Sequence, residues 1–152
     1  MSCILRVFGS SLNVEALLAQ TALEPDRVWK KGEPRFKTKP DGETLNNSGA
    51  SFLASEADMS EFDIQTREAS FFLEKNHSEI RKMVVFPGVE EVVLDFGVEL
   101  RDVMIHSDYL PPKLIQVATQ AGIGLELSHY PCSKKKSELT RSSTGRACRR
   151  AG

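Results

Sequence analysis

Trp29 is the chain's single tryptophan, and it sits in LEPDRVWKKGEPR (23–35) among Arg27, Lys30, Lys31 and Arg35. An indole set among cations is the equipment of a surface that stacks a planar group and holds its charge. In a strand, alternate residues face opposite ways, so Arg27, Trp29 and Lys31 share one face and Val28 and Lys30 the other. With Val28 turned toward a helix-covered core, Trp29 falls on the open face of the sheet. The same alternation brings Arg6 and Phe8 to that face, beside Asp95, Glu99, Glu126, Ser128 and Tyr130, with His106 an option. The binding residues expected are therefore Trp29, Phe8, Tyr130, Arg27, Lys31 and Arg6. The plainer alternative packs Trp29 and Phe8 on each other, or beneath the 32–49 loop, as a satellite core. Lys37 and Lys39 extend the basic run, and such runs are ordinarily solvated faces.

Groups able to make or break bonds are sparse. The three histidines are His77, in a polar helical stretch, and His106 and His129, in extended ones. His106-Ser107-Asp108 with His129 offers ligand types suited to a metal, but not a metal-ligand spacing. A surface histidine and an aspartate opening the Tyr-Leu-Pro-Pro turn account for them as well. Neither a metal nor a cofactor is expected, and no catalytic residue is assigned. Gly9-Ser10-Ser11 stands where a nucleophile elbow would, without the GxSxG pattern or a His/Asp partner, and reads as turn and capping chemistry. Phosphate-loop, dinucleotide and HExxH patterns are absent. Glu90 and Glu91 are neighbours, so a strand would point them to opposite faces and prevent acid–base pairing.

The elements that must position these groups follow from periodicity. CILRVFG (3–9) is a strand ended by Gly9-Ser10-Ser11, and Asn13 caps a helix over VEALLAQTAL that Pro25 closes. DRVWKK is a second strand, 32–49 a long polar loop, and ASFLAS (50–55) a third strand. Apolar positions from Phe62 to Met83 recur at helical spacing, with Asn76 the exception on that face. Residues 91–101 alternate as a half-buried strand, with VMIHSDYL (103–110) its expected neighbour. Pro111-Pro112 opens a helix ended by Gly122, and IGLELSHY (123–130) is the last strand. The order β-α-β-β-α-β-β-α-β predicts an α+β fold. It is expected to be a single mostly antiparallel sheet with about three helices on one face, a ferredoxin-like core with an added βαβ.

A chain of 152 residues suits one domain, expected over 1–132, with a basic, disordered tail over 133–152. That tail holds seven Lys/Arg against one Glu, leaving the remainder with 13 bases and 20 acids. The body's charge of −7 opposes nucleic acid binding outside a local patch. Three cysteines without CxxC spacing, no secretory leader and no long apolar run point to a cytoplasmic protein with reduced thiols and no membrane span.

FGSSLNVEALLAQTALEPDRVWKKGEPR resembles the opening of the bacterial family called domain of unknown function 4279, which shares the Glu-Pro, the Trp and the Lys-Gly-Asp/Glu-Pro-Arg turn. LPPKLIQVATQAGIGLELSHYP is similar to that family's closing helix and strand, so the resemblance spans roughly 3–131. It departs at SGASFLAS, where family members commonly carry a tryptophan after the glycine. The resemblance implies a small stand-alone bacterial protein and supplies no catalytic residues. The function expected is a non-enzymatic binding or interaction module with a protein partner, such as a toxin it neutralises, acting as a monomer or homodimer. The alternatives are a small-molecule enzyme, or a single-stranded nucleic acid binder using the sheet face around Trp29.

Overall fold

The structure is a computed structural model that describes residues 3–131. The expected 133–152 tail, with Cys132 and Cys148, lies outside the described residues. Strand β1 (Cys3–Gly9) alternates strictly: Cys3, Leu5 and Val7 are sealed, while Ile4, Arg6 and Phe8 are half-buried. It leads through helix α1 (Val14–Ala19), whose first turn is capped by Asn13 Oδ1 accepting from the Ala16 amide at 3.0 Å. Strands β2 (Arg27–Trp29) and β3 (Ser48–Ser55) follow, then helices α2 (Phe62–Lys75) and α3 (His77–Val84). Strand β4 (Glu91–Leu100), helix α4 (Pro112–Ala121) and strand β5 (Gly124–Pro131) complete the described residues.

The five strands form one sheet in the order β2-β3-β1-β4-β5. Every pairing is antiparallel except β4 with β5, which run parallel and need the α4 crossover between them. Sheet and helices meet in one core. Leu5, Val7, Phe52, Leu94 and Phe96 pack against Leu17, Leu73, Ile80, Met83 and Leu114. All four helices contribute, so they cover a single face, as the α+β reading requires. Among the described residues no helix is long and apolar enough to cross a membrane.

Four local expectations are corrected. The helix after β1 stops at Ala19, with Gln20 its C-cap, well short of Pro25. The long helix expected over 62–83 is two, because Asn76 both ends α2 and precedes α3. Its amide side chain donates to the Phe72 carbonyl at 2.9 Å, a local bond that competes with the helical ladder. Residues 103–110 are not a strand. Both edges of β4 are already taken by β1 and β5, so that segment has no neighbour to pair with and serves as the crossover into α4. The second strand ends at Trp29 instead of running to Lys31. The Lys30 and Lys31 amides are taken by Glu33 Oε2 and Ser48 Oγ, and Gly32 turns the chain at φ +87°.

Cys3 is sealed beside the core, and its burial pushes the thiol far above its ordinary pKa, with Asp95 adding to the shift. It is a structural, unreactive cysteine.

Phe96 is fully buried, and its ring meets Phe62 edge-on with centroids 5.4 Å apart. Phe96→Ala is expected to lower unfolding free energy by about 3–5 kcal/mol. Urea denaturation followed by circular dichroism measures it, and a loss below ~1 kcal/mol would contradict this account of the core.

Candidate functional site

On the uncovered side of the sheet, cross-strand register sets which side chains stand together. Arg27, Ser51 and Arg6 are direct partners across β2, β3 and β1, and Trp29, Gly49 and Phe8 are partners in the next row. Position 49 sits between the two rings. A Cβ there would fall 2.4 Å from Trp29 Cζ2, 2.5 Å from the Val7 carbonyl oxygen and 2.8 Å from Phe8 Cβ, so glycine is what lets both the indole and the β1 backbone approach β3 this closely. The ring is fixed from the other side by its Nε1–H, which donates to Asn47 Oδ1 at 2.9 Å.

The 32–47 segment, read from sequence as a polar loop, is an arm held by its own ladder. Gly32 donates to the Leu45 carbonyl, Leu45 to Glu33 and Arg35 to Glu43, at 2.8–2.9 Å, around a Pro34–Thr44 bridge. Arg35 and Glu43 add an ion pair at 3.1 Å. The arm forms one wall of a cleft of about 830 Å³ whose floor is the open sheet face. Ile4, Arg6, Phe8, Arg27, Trp29 and Ser51 make that floor, Arg35 and Phe36 belong to the wall, and Tyr130 closes one end.

Charge in the cleft is unequal. Three arginines line it against one glutamate, Glu43. Arg6 is engaged, with Nη2 at 2.5 Å from Glu126 and 3.4 Å from Asp95, and its guanidinium lies 6.0 Å from the Phe8 ring centroid. Its Nε is buried and has no hydrogen-bond partner among the described residues. Ser128 steadies the acid side of this network by donating to Asp95 Oδ1 at 2.7 Å. Arg27 makes no ion pair or side-chain hydrogen bond among the described residues, and neither does the Ser51 hydroxyl beside it.

Of the six expected binding residues, five line this cleft: Trp29, Phe8, Tyr130, Arg27 and Arg6. Lys31 does not, because the truncated β2 leaves it in the turn beyond the sheet. Val28 shares the face of buried Ala50, yet remains 40% exposed because β2 is the sheet's edge. Sequence reading missed Asn47 and Ser51, and missed that Arg35, Phe36 and Glu43 belong to the same surface. The one available sign was the cluster of turn residues at 46–49, which brings Asn47 back beneath the indole.

A second constellation lies at the far end of β4 and β5, on the helix-covered side. His129 is in register with the core residue Val98, while its neighbour Tyr130 is in register with Glu99 on the open face. Folding brings His106, Asp108 and His129 together, with one ligand atom from each all within 4.8 Å of one another. Asp108 Oδ2 lies 2.9 Å from His106 Nε2 and 3.8 Å from His129 Nε2. Arg101 spans the group, its Nε donating to His106 Nε2 at 3.2 Å and its Nη2 to Asp108 Oδ1 at 2.6 Å. Arg101 is the last residue of the half-buried strand expected over 91–101, and nothing in the sequence connected it to the histidines.

No protein-family model, curated protein or solved structure matches this chain.

The remaining sequence candidates stay apart. Ser10 donates to Glu90, and that bond holds the Glu90 carboxyl below its usual range. No histidine stands beside it, so the Gly9-Ser10-Ser11 turn is not a nucleophile site. His77 is exposed at the start of α3.

Gly49→Ala is expected to lift the Trp29 ring off β3 and to press β3 away from the Val7 carbonyl, costing about 1–3 kcal/mol from overpacking. Because Trp29 is the single tryptophan, its emission spectrum reports the change directly, with a shift to longer wavelength as the ring becomes wetter. An unchanged emission maximum in a folded variant would show that the ring does not depend on glycine at 49.

Proposed function

We propose that this protein is a non-enzymatic binding module that holds a planar ligand carrying a carboxylate or phosphate in the open-face cleft. The observation carrying the reading is the row Arg27–Ser51–Arg6 beside the row Trp29–Gly49–Phe8, in which the Arg27 guanidinium and the Ser51 hydroxyl, without side-chain partners among the described residues, border a fixed indole. The rings supply stacking area, while a guanidinium supplies charge-assisted hydrogen bonds in a fork that matches carboxylate or phosphate oxygens. A volume of about 830 Å³ falls among those of small-molecule sites, roughly 300–1,000 Å³.

The same features weigh against the competing expectations. A basic protein partner such as a toxin would meet Arg27, and would find the acids of this surface, Glu43, Asp95 and Glu126, already paired with Arg35 and Arg6. A nucleic acid strand would extend beyond the cleft over a body with 13 bases and 20 acids. A short planar anion avoids both penalties. The resemblance to the domain of unknown function 4279 family is compatible with such a role and assigns no ligand.

The sole tryptophan makes the test direct. Titration of the full chain with 1-naphthoate or adenosine monophosphate is expected to change Trp29 emission saturably, with inorganic phosphate alone giving no comparable signal. Arg27→Ala should weaken binding about ten- to hundredfold, the worth of a hydrogen bond to a charged group. If neither aromatic anion saturates, or if Arg27→Ala binds as tightly as the parent, the reading is wrong.

A further inference from the structure

We infer that His106, Asp108 and His129 form a binding site for a first-row divalent transition metal such as zinc, nickel or cobalt. The argument begins with lone pairs. Where His106 Nε2 accepts the Arg101 N–H at 3.2 Å, that nitrogen presents a lone pair and no proton. The same nitrogen lies 2.9 Å from Asp108 Oδ2, which is also an acceptor. Two acceptors at that separation repel unless a proton on the imidazole or a metal ion stands between them, and a metal ion can occupy the place of that proton. Arg101 is the nearest cation, and it satisfies the pair from one side only, through Nε on the imidazole and Nη2 on Oδ1.

The spacing is what a metal needs. With metal–nitrogen and metal–oxygen bonds of about 2.0–2.2 Å, two ligand atoms on one ion stand about 3.0–3.5 Å apart, depending on geometry. The His106–Asp108 separation of 2.9 Å is already there, and His129 at 3.8 Å from the same oxygen needs a small rotation. That rotation is available, because the His129 side chain is 42% exposed at the end of the edge strand. The set mixes two imidazoles with one carboxylate, which suits borderline first-row ions better than calcium or magnesium.

The site is supported and reachable. Arg101 Nη2 on Asp108 Oδ1 leaves Oδ2 free and orients the carboxylate, as outer partners of ligating carboxylates do. Asp108, Arg101 and Ser107 line a separate cleft of about 420 Å³ that reaches the Asp108 side chain, itself 11% exposed. Binding would exchange the Arg101 Nε contact for the ion, and would tie the 101–111 crossover to the end of β5. This site is on the opposite face of the sheet from the cleft and does not depend on it.

The experiment uses the full chain with His77, Cys132 and Cys148 replaced by Ala, Ser and Ser, so that the one other thiol left is Cys3, which is sealed in the core. Zinc affinity is measured by isothermal titration calorimetry. One equivalent is expected to bind, and His106→Ala or His129→Ala to weaken it at least about tenfold. Cobalt absorption provides the second readout, with d–d bands that both histidine variants abolish. Thermal melting provides the third, with zinc raising Tm in the parent and leaving the double histidine variant unmoved. Equal zinc affinity in parent and histidine variants, or no binding to the folded parent, overturns the assignment.

Discussion

Strand β1 is paired on both sides, and its alternation decides what every other element does. Cys3, Leu5 and Val7 enter the helix-covered core while Ile4, Arg6 and Phe8 face the other way. A slip of one residue would drive the Arg6 guanidinium into that core and lift Leu5 and Val7 out of it. The cost of burying an uncompensated charge makes such a slip far less favourable than any local rearrangement. The register through β3 to β2 is inherited from this choice, and so are the two rows that build the cleft. Both the core and the open-face surface therefore rest on one strand's periodicity.

Helices on one face leave the other to be managed by side chains. Over β4 and β5 the solution is ionic: Arg6, Asp95, Glu126 and Ser128 join into one network, with Asp95 only 8% exposed. Asp95 is tolerated there because its oxygens meet a guanidinium and a hydroxyl. Over β2 and β3 the solution is the 32–47 arm, which stands beside the sheet without filling the space between. The cleft is the gap between these two treatments. That explains why aromatic and cationic groups meet there, with Arg27 left without a partner among the described residues.

Much of this was legible from residue order, because period-two and helical spacing are local signals. The limits of β1, and those of β4, α4 and β5 to within about a residue, followed from alternation, from Pro111-Pro112 and from Gly122. Five of the six residues expected on the open face do line the cleft, and they followed from parity alone, without knowledge of strand order. What failed depended on partners distant in sequence. VMIHSDYL has strand composition, but pairing is decided by vacant sheet edges, and β4 has none. Lys31 failed because the Ser48 hydroxyl, seventeen residues on, captures its amide. Asn76 shows the opposite case, where a visible local irregularity did mark a break. The arm was opaque because its ladder bonds and its Arg35–Glu43 pair carry no periodicity.

The two candidate sites lie on opposite faces of the sheet, yet they share two consecutive residues of β5. His129 points with Val98 toward the helices, and Tyr130 points with Glu99 toward the cleft. A strand cannot turn one of these side chains without moving the peptide that carries the other. As an edge strand, β5 has a ladder partner on one side only, so its C-terminal end is held chiefly by its bonds to β4. Whatever anchors His129 to Asp108 therefore also limits the positions open to Tyr130. Alternation, which separates the two surfaces chemically, is also what joins them mechanically.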